Sequence, residues 1–201
     1  MGSYAAIADA SETLIELLRD RITERSDVVS VTRSEIALVS PDDVGADSDV
    51  RLSLFLYDVA ENPVLKNQGD VAVDDQRTRA APLALDLRYV LTAFPAQGGD
   101  ETASSLDQQR VLGLAMQVLY DNAILGPDQL PASLADRDLQ ITFVEESLQS
   151  MSDIWTSFGE AAMQPAVTYE VGPVTIESTR EHGVGRVTET ESDYRTPDDG
   201  A

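Results

Sequence analysis

Side chains that could act in catalysis are scattered along this chain. The only histidine, His182, lies in a polar stretch near the carboxyl end, which favours a solvated residue over a member of a catalytic dyad. Neighbouring carboxylates such as Glu145–Glu146 and Asp74–Asp75 could exchange protons with a substrate. With 36 acidic residues in the chain, such neighbours arise by chance. The pattern predicts no catalytic site, and a small carboxylate-dependent hydrolase stays as an alternative.

Motifs that bind cofactors or metals do not occur in the sequence. The zinc motif HExxH, the phosphate-binding GxxxxGK[ST] and the dinucleotide-binding GxGxxG are all missing. No acidic run has the spacing of a calcium-binding EF-hand loop. The chain has no cysteine, which excludes disulfides and thiolate metal ligands. The sequence therefore predicts no cofactor and no metal site.

Charge is the most unusual property of the composition. The net charge is −22, and Lys66 is the only lysine among 14 basic residues. The acids are dispersed, so they repel one another in a compact fold at low salt. Molar salt shortens the screening length to roughly 3 Å and removes this repulsion. The composition predicts the cytoplasm of a halophile, with an acidic decoy for a basic partner as an alternative.

The same composition bears on partners and location. A strongly acidic surface disfavours binding to nucleic acid phosphates. No run of about 18 apolar residues is present, and the first residues lack the pattern of a secretory signal. We therefore expect a soluble protein that is made in the cytoplasm, with neither a nucleic acid nor a membrane as partner.

One stretch, Pro82–Phe94, predicts a long central strand. Leucine, tyrosine and alanine alternate there with polar residues, which indicates one buried and one polar face. Asp86 and Arg88 share the polar face, where we expect them to pair.

The remaining elements flank this strand. Their order predicts a single α+β (mixed α/β) domain with a sheet of about five strands flanked by helices. We assign residues 1–178 to this domain and residues 179–201 to an acidic, flexible tail. The predicted helices are Tyr4–Arg25, Ser105–Asp121 (with a capping box at Ser105) and Ser147–Gly159, and the other predicted strands are Glu35–Ser40, Val50–Val59, Leu139–Glu145 and Ala166–Ile176.

Two segments are candidates for contacts with other proteins. Gly172-Pro173 breaks the alternation of the last strand, which predicts an edge strand with a bulge or bend. Glu61–Ala81 has the length of a functional loop and predicts either a surface loop or irregular β arm, or a loop ordered by a neighbouring subunit. Trp155 is either a core residue or an interface anchor. The candidate interface residues are Asn62, Leu65, Lys66, Asn67, Arg77, Arg79, Trp155, Tyr169, Val171 and Val174.

Four segments in order resemble one known family, the cap or tail-terminator proteins of extracellular contractile injection systems. They are LSLFLYDVAENPVLKNQ (Leu52–Gln68), PLALDLRYVLTAF (Pro82–Phe94), QRVLGLAMQVLYDNAIL (Gln109–Leu125) and the stretch Ile141–Ser178. None of the segments is a catalytic signature, and together with the first helix they cover nearly all of the chain before the tail.

The resemblance implies a structural role. Such proteins form a hexameric ring on the end of the inner tube and sheath of a phage-tail-like particle, which they terminate and cap. The implied partners are copies of the chain itself, the sheath protein and the inner tube protein, with assembly in the cytoplasm and release as part of an extracellular particle. A head–tail or neck adaptor of a tailed virus is the alternative within the same class.

Overall fold

Helices and strands alternate along the residues that the computed structural model describes, which are 4–74, 76–98, 100–159 and 161–183. The helices are α1 (Ala6–Thr23), α2 (Glu101–Asp121) and α3 (Leu148–Ser157). The strands are β1 (Ile36–Ala37), β2 (Leu52–Glu61), β3 (Val71–Asp74), β4 (Arg77–Arg79), β5 (Leu83–Ala93), β6 (Ile124–Leu125), β7 (Leu139–Val144), β8 (Ala166–Ile176) and β9 (Glu181–Gly183).

The described chain divides into two compact units. Residues up to Asn67 and from Pro82 to Glu177 form the larger unit, which we call the body. Residues 68–81 and the described residues from Ser178 onward form the smaller unit, which we call the arm. The body holds the three helices and one sheet, so the predicted single α+β domain is confirmed for this unit.

The sheet of the body has six strands in the order β1-β2-β5-β8-β7-β6. The sequence indicated about five strands because it missed β6, which has only two residues; β1 lies within the predicted strand Glu35–Ser40 but is also only two residues long. Neighbours run antiparallel except for β1 and β2, which are parallel. The central strands β5 and β8 are those in which the apolar pattern of the sequence is longest.

Strand β5 is covered on both faces, so the prediction of one polar face was wrong: Val90 and Thr92 on that face are fully buried. Leu87, Tyr89 and Leu91 are fully buried in the main hydrophobic core, and Val90 is fully buried in a second cluster on the other face. The expected pair between Asp86 and Arg88 does not form. A register shift lies next to Asp86, and the two side chains take other partners.

Helices α1 and α2 contribute to the main core. The buried hydroxyls of Ser11 on α1 and Tyr89 on β5 share a hydrogen bond of 2.8 Å, and burial raises the pKa of Tyr89 to about 12. The predicted capping box at Ser105 was wrong. Helix α2 begins about one turn earlier, at Glu101. Asp100 is its N-cap and accepts a hydrogen bond from the Ala103 N–H at 2.9 Å.

Helix α3 covers the opposite face of the sheet. Ser147 caps its first turn, as the predicted boundary implied, and its hydroxyl accepts from the Ser150 N–H at 3.0 Å. Trp155 and Phe158 are buried there and meet edge to face with ring centroids 5.6 Å apart. Phe158 also meets Phe55 of β2 at 5.7 Å. This cluster explains why the second face of β2 is aromatic.

Strand β8 differs from its prediction in one respect. It lies between β5 and β7 and is therefore not an edge strand. The predicted bulge is present, because Leu85 pairs with Val174 while Leu87 pairs with Val171, which leaves Gly172 and Pro173 opposite Asp86. The proline is tolerated there because the bulge removes the ladder hydrogen bond that it cannot donate.

Gly172 is required by the packing of this bulge. A Cβ atom at Gly172 would meet the Asp86 Oδ1 atom and would lie 3.2 Å from the Leu85 carbonyl oxygen. We expect Gly172→Ala to lower the free energy of unfolding by about 1–3 kcal/mol, the usual cost of overpacking. Urea denaturation monitored by circular dichroism measures this change.

Gly113 in α2 supplies the matched control. It is exposed, and a Cβ atom there would meet nothing within 4 Å. Gly113→Ala is expected to raise the free energy of unfolding by about 0.5–1 kcal/mol, because alanine is the better helix former. Equal effects of the two substitutions would contradict this account of the bulge.

Candidate interaction surfaces

Asp74 belongs to one of the carboxylate pairs that the sequence singled out. Asp74 lies in β3, and the hydrogen bond from the Gln76 N–H followed by the Arg77 guanidinium lowers its pKa. A general acid needs a raised pKa instead. His182 is exposed in β9, opposite Thr78. Asp75 lies outside the described residues.

The described residues contain neither a metal-binding cluster nor a membrane-spanning helix. Within the described ranges, no three histidine, aspartate or glutamate side chains gather closely enough to hold a metal ion. Nor does any helix in these ranges have the length and apolar content to cross a lipid bilayer.

One open edge of the sheet lies on β2. Strand β1 pairs only with Leu52 and Ser53, so from Leu54 to Glu61 no described strand pairs with the outer side of β2. The Asn62 N–H donates to the Ala84 carbonyl of the β5 side at 2.9 Å. Because successive N–H groups along a strand point to opposite sides, the Val59 N–H, three residues earlier, points away from β5 towards the open side. The edge that the sequence assigned to Ala166–Ile176 is therefore found on β2.

Charged side chains accompany this edge. Arg88 on β5 lies between two carboxylates, donating to Asp58 Oδ2 on β2 and to Glu170 Oε2 on β8, both at 3.3 Å. Burial, followed by the negative charge of Glu146, raises the pKa of Tyr57 on β2. Charges on an edge strand oppose uncontrolled pairing with other sheets, so a partner strand must match them.

Asn62 organises the end of β2. Its Oδ1 accepts hydrogen bonds from the Val64 and Leu65 N–H groups at 3.0 and 2.9 Å, and its Nδ2 donates to both carboxylate oxygens of Asp86. Asn62 thus positions the turn that leaves the sheet. Leu65 is half-buried, and Lys66 and Asn67 are exposed, with Lys66 3.8 Å from Glu61.

The arm is a three-stranded sheet in the order β3-β4-β9. Arg77 contacts Asp74 and Glu181, and Arg79 donates to Glu181 at 3.3 Å. Glu181–Gly183 were predicted to belong to a flexible tail and form a strand instead, while residues 184–201 lie outside the described residues. The segment 61–81 is thus the irregular β arm that its sequence left open.

No side chain of the described arm is buried. Every residue of β3 is exposed, with Val71 and Val73 at 51% and 39%. Small sheets usually need a hydrophobic face or packing against another element to be stable. The ion pairs of Arg77 and Arg79 are exposed, and such pairs contribute only about 0–1 kcal/mol each.

An apolar groove, which we call the α2–β7 groove, lies on the body. Its volume is about 520 Å³. Tyr120 is 82% exposed at this groove, and Phe143 is 51% exposed and meets Tyr169 edge to face at 5.8 Å. The lining residues, none of them charged, are Met116, Gln117, Leu119, Tyr120, Ala123, Ile141, Phe143 and Tyr169.

The sequence contains one signal for this groove. Apolar residues wrap most of the circumference of α2, which is more than the face packed on the core needs. Met116 and Tyr120 lie outside that packed face. Phe143 shares one side of the alternation of β7 with Leu139 and Ile141, which are buried. It is exposed, since it borders the groove.

Four candidate interface residues are buried in the body. Trp155, Tyr169, Val171 and Val174 are each 5% exposed or less. Trp155 occupies a hydrophobic cluster, which is the core alternative that its sequence context allowed. Side chains buried to this degree contribute little to the surface of the isolated chain. The candidates that remain at the surface are Asn62, Leu65, Lys66, Asn67, Arg77 and Arg79.

Known proteins share the sequence pattern or the fold of this chain. The family described as Pvc16 N-terminal domain matches residues 9–190. A solved structure of a PVC sheath/tube terminator of an extracellular contractile injection system, in its extended state, is 18% identical, with a TM-score of 0.63. The alignment covers 100% of this chain and 67% of that one.

The anti-feeding prophage cap, a tube-terminating cap, is a second solved structure of this fold. It is 17% identical with a TM-score of 0.54, and the alignment covers 93% of this chain and 61% of the cap. This chain therefore spans about two thirds of the length of either structure. No curated protein matches in sequence. The extent of the family match, over most of the body and into the arm, shows that the chain belongs to the Pvc16 N-terminal domain family.

Proposed function

We infer that this chain is a structural cap that terminates the tube and sheath of a phage-tail-like contractile injection system. The observation that carries the proposal is the alignment of the whole chain with a sheath/tube terminator, in the fold that the family resemblance implied. The surfaces of the described residues fit such a role, because they offer a strand edge, an arm and an apolar groove. A capping protein of this kind acts through binding and needs no catalytic chemistry.

The proposed assembly is a ring of six copies on the end of the tube and sheath. Contacts between two different surfaces of neighbouring copies close into a ring when their rotation allows it. The partners are then other copies, the inner tube protein and the sheath protein. The cap is assembled in the cytoplasm and leaves the cell as part of the extracellular particle, and its acidic surface disfavours nucleic acid and membranes as partners.

The open edge of β2 is the surface best suited to the sheath protein. Backbone groups on the outer side of Leu54–Glu61 can accept an added strand, a recurrent mode of peptide recognition. Asp58 and Glu61 at this edge already contact Arg88 and Lys66, so the acidic excess of the whole chain is what favours an extended segment that carries basic side chains.

The high acidity is proposed to be an adaptation to a saline cytoplasm. The 36 acidic residues face 14 basic ones, and several arginines are already engaged by two carboxylates, as Arg33 is by Glu16 and Asp20. Because acidic residues outnumber basic ones, screening by salt weakens the repulsion among carboxylates more than the attraction between carboxylates and arginines.

Removing the gene for this chain from the host tests the main proposal. We expect tubes and sheaths of uncontrolled length or sheaths that contract early, because growth of neither polymer is terminated. Electron microscopy of purified particles measures the length distribution. Particles of normal length and state would contradict the proposal, and restoring the gene is the control.

A single substitution tests the edge of β2. Val59→Pro removes an N–H that points away from β5, so we expect the fold to persist and the affinity for the sheath protein to fall at least about tenfold, or ~1.4 kcal/mol. Val59→Thr keeps the N–H and is the conservative control. Biolayer interferometry gives the affinities, and equal binding by both variants would assign the sheath contact to another surface.

Thermal unfolding tests the salt adaptation. From millimolar to molar KCl we expect the midpoint to rise by at least about 5 °C, because screening weakens repulsion among the acids. Differential scanning fluorimetry across a KCl series measures the shift. A midpoint that is unchanged or lower in molar KCl would show that charge repulsion does not limit stability.

A further inference from the structure

We propose that the α2–β7 groove of one copy receives the arm of the next copy, with Val71 and Val73 as the side chains that enter it. This inference rests on the proposed cap function for its biological setting. Its physical basis is independent, because it uses only the described surfaces of the arm and of the body.

The arm lacks a core of its own. Its three strands have four, three and three residues, and none of its described side chains is buried. Val71 and Val73 therefore stay in water in the isolated chain, at 51% and 39% exposure. Burying aliphatic side chains contributes up to about 1.5–3 kcal/mol each, so a second surface that covers them would stabilise the arm.

The groove has the complementary property. It is apolar, about 520 Å³ in volume, and it leaves Tyr120 and Phe143 largely exposed. That volume is in the range of sites that enclose ligand-sized groups. Exposed aromatic residues at an uncharged concavity are typical of protein interfaces, where tyrosine and phenylalanine are enriched.

Charge selects another copy's arm as the occupant. Residues 68–81 and 178–183 carry four acidic residues and three arginines, so the arm is nearly neutral. Residues 184–201, which follow the arm in sequence, add five acidic residues and two arginines, and the body carries 27 acidic and nine basic residues. Two bodies that meet groove to groove would therefore repel each other, whereas a neutral arm approaches an acidic body with little repulsion.

The contact is heterologous, since it joins two different surfaces. Each copy offers one arm and one groove, so each copy can have a neighbour on either side, as a ring requires. A groove-to-groove contact would instead stop at a dimer.

Disulfide trapping tests this contact, and the absence of native cysteine makes the result unambiguous. Full-length Val71→Cys is mixed with full-length Tyr120→Cys in molar KCl under mild oxidation. Leu106→Cys, an exposed position in the first half of α2 at 47% exposure, replaces Tyr120→Cys in the matched control. Because each protein carries one cysteine, a mixed dimer reports contact between different copies only.

We expect the Val71–Tyr120 mixed dimer to form at least about tenfold more than the Val71–Leu106 dimer, or ~1.4 kcal/mol in favour of the groove. Equal yields would overturn the proposal. A dominant dimer of Tyr120→Cys with itself would also overturn it, by showing a groove-to-groove contact. Circular dichroism melts of the three variants establish that each is folded.

The two proposals fail separately. Normal particles without this gene would refute the cap function and leave a specific Val71–Tyr120 cross-link standing. Conversely, particles that need the gene but show no such cross-link would keep the cap function and refute the arm contact.

Adding Phe143→Glu to Tyr120→Cys should reduce the mixed dimer at least about tenfold, because a charge then enters the groove.

Discussion

Burial of β5 on both faces is the constraint from which the rest of the body follows. A strand covered on one side by α1 and α2 and on the other by α3 needs apolar side chains in both phases of its alternation, and Leu87, Tyr89, Leu91 and Val90 supply them. Strands β2 and β8 pair with it over nearly its whole length. The hydrogen bond between Tyr89 and Ser11 satisfies a hydroxyl that burial would otherwise make costly.

A second constraint connects the core to the surface. The bulge of β8 leaves Gly172 opposite Asp86, and the Asp86 carboxylate lies against that glycine while it accepts from Asn62. Asn62 in turn fixes the turn at the end of β2 through Val64 and Leu65. An irregularity in the central strands thereby determines where the chain leaves the body towards the arm.

The surfaces of this chain are suited to assembly. Its carboxylates are dispersed, and hydrogen bonds from the Gln76 N–H and from Arg19 lower the pKa values of Asp74 and Glu16 respectively. What stands out against this acidic surface is the uncharged groove, together with a nearly neutral arm. Where like charges dominate, contacts between copies are confined to patches that lack them.

The sequence by itself determined the central strand and the irregularity at Gly172-Pro173, because these depend on local periodicity and residue type along one stretch. The order of the elements indicated the class of fold, and the resemblance of four segments indicated the family. Only the tertiary structure decided that β8 is interior and that β2 carries an open edge, since strand order is set by packing between distant segments. Likewise the groove joins residues of α2, β7 and β8, whose exposure depends on where each covering element ends. Phe143 shows this directly: its alternation is that of a core residue, and its surroundings leave it at the surface.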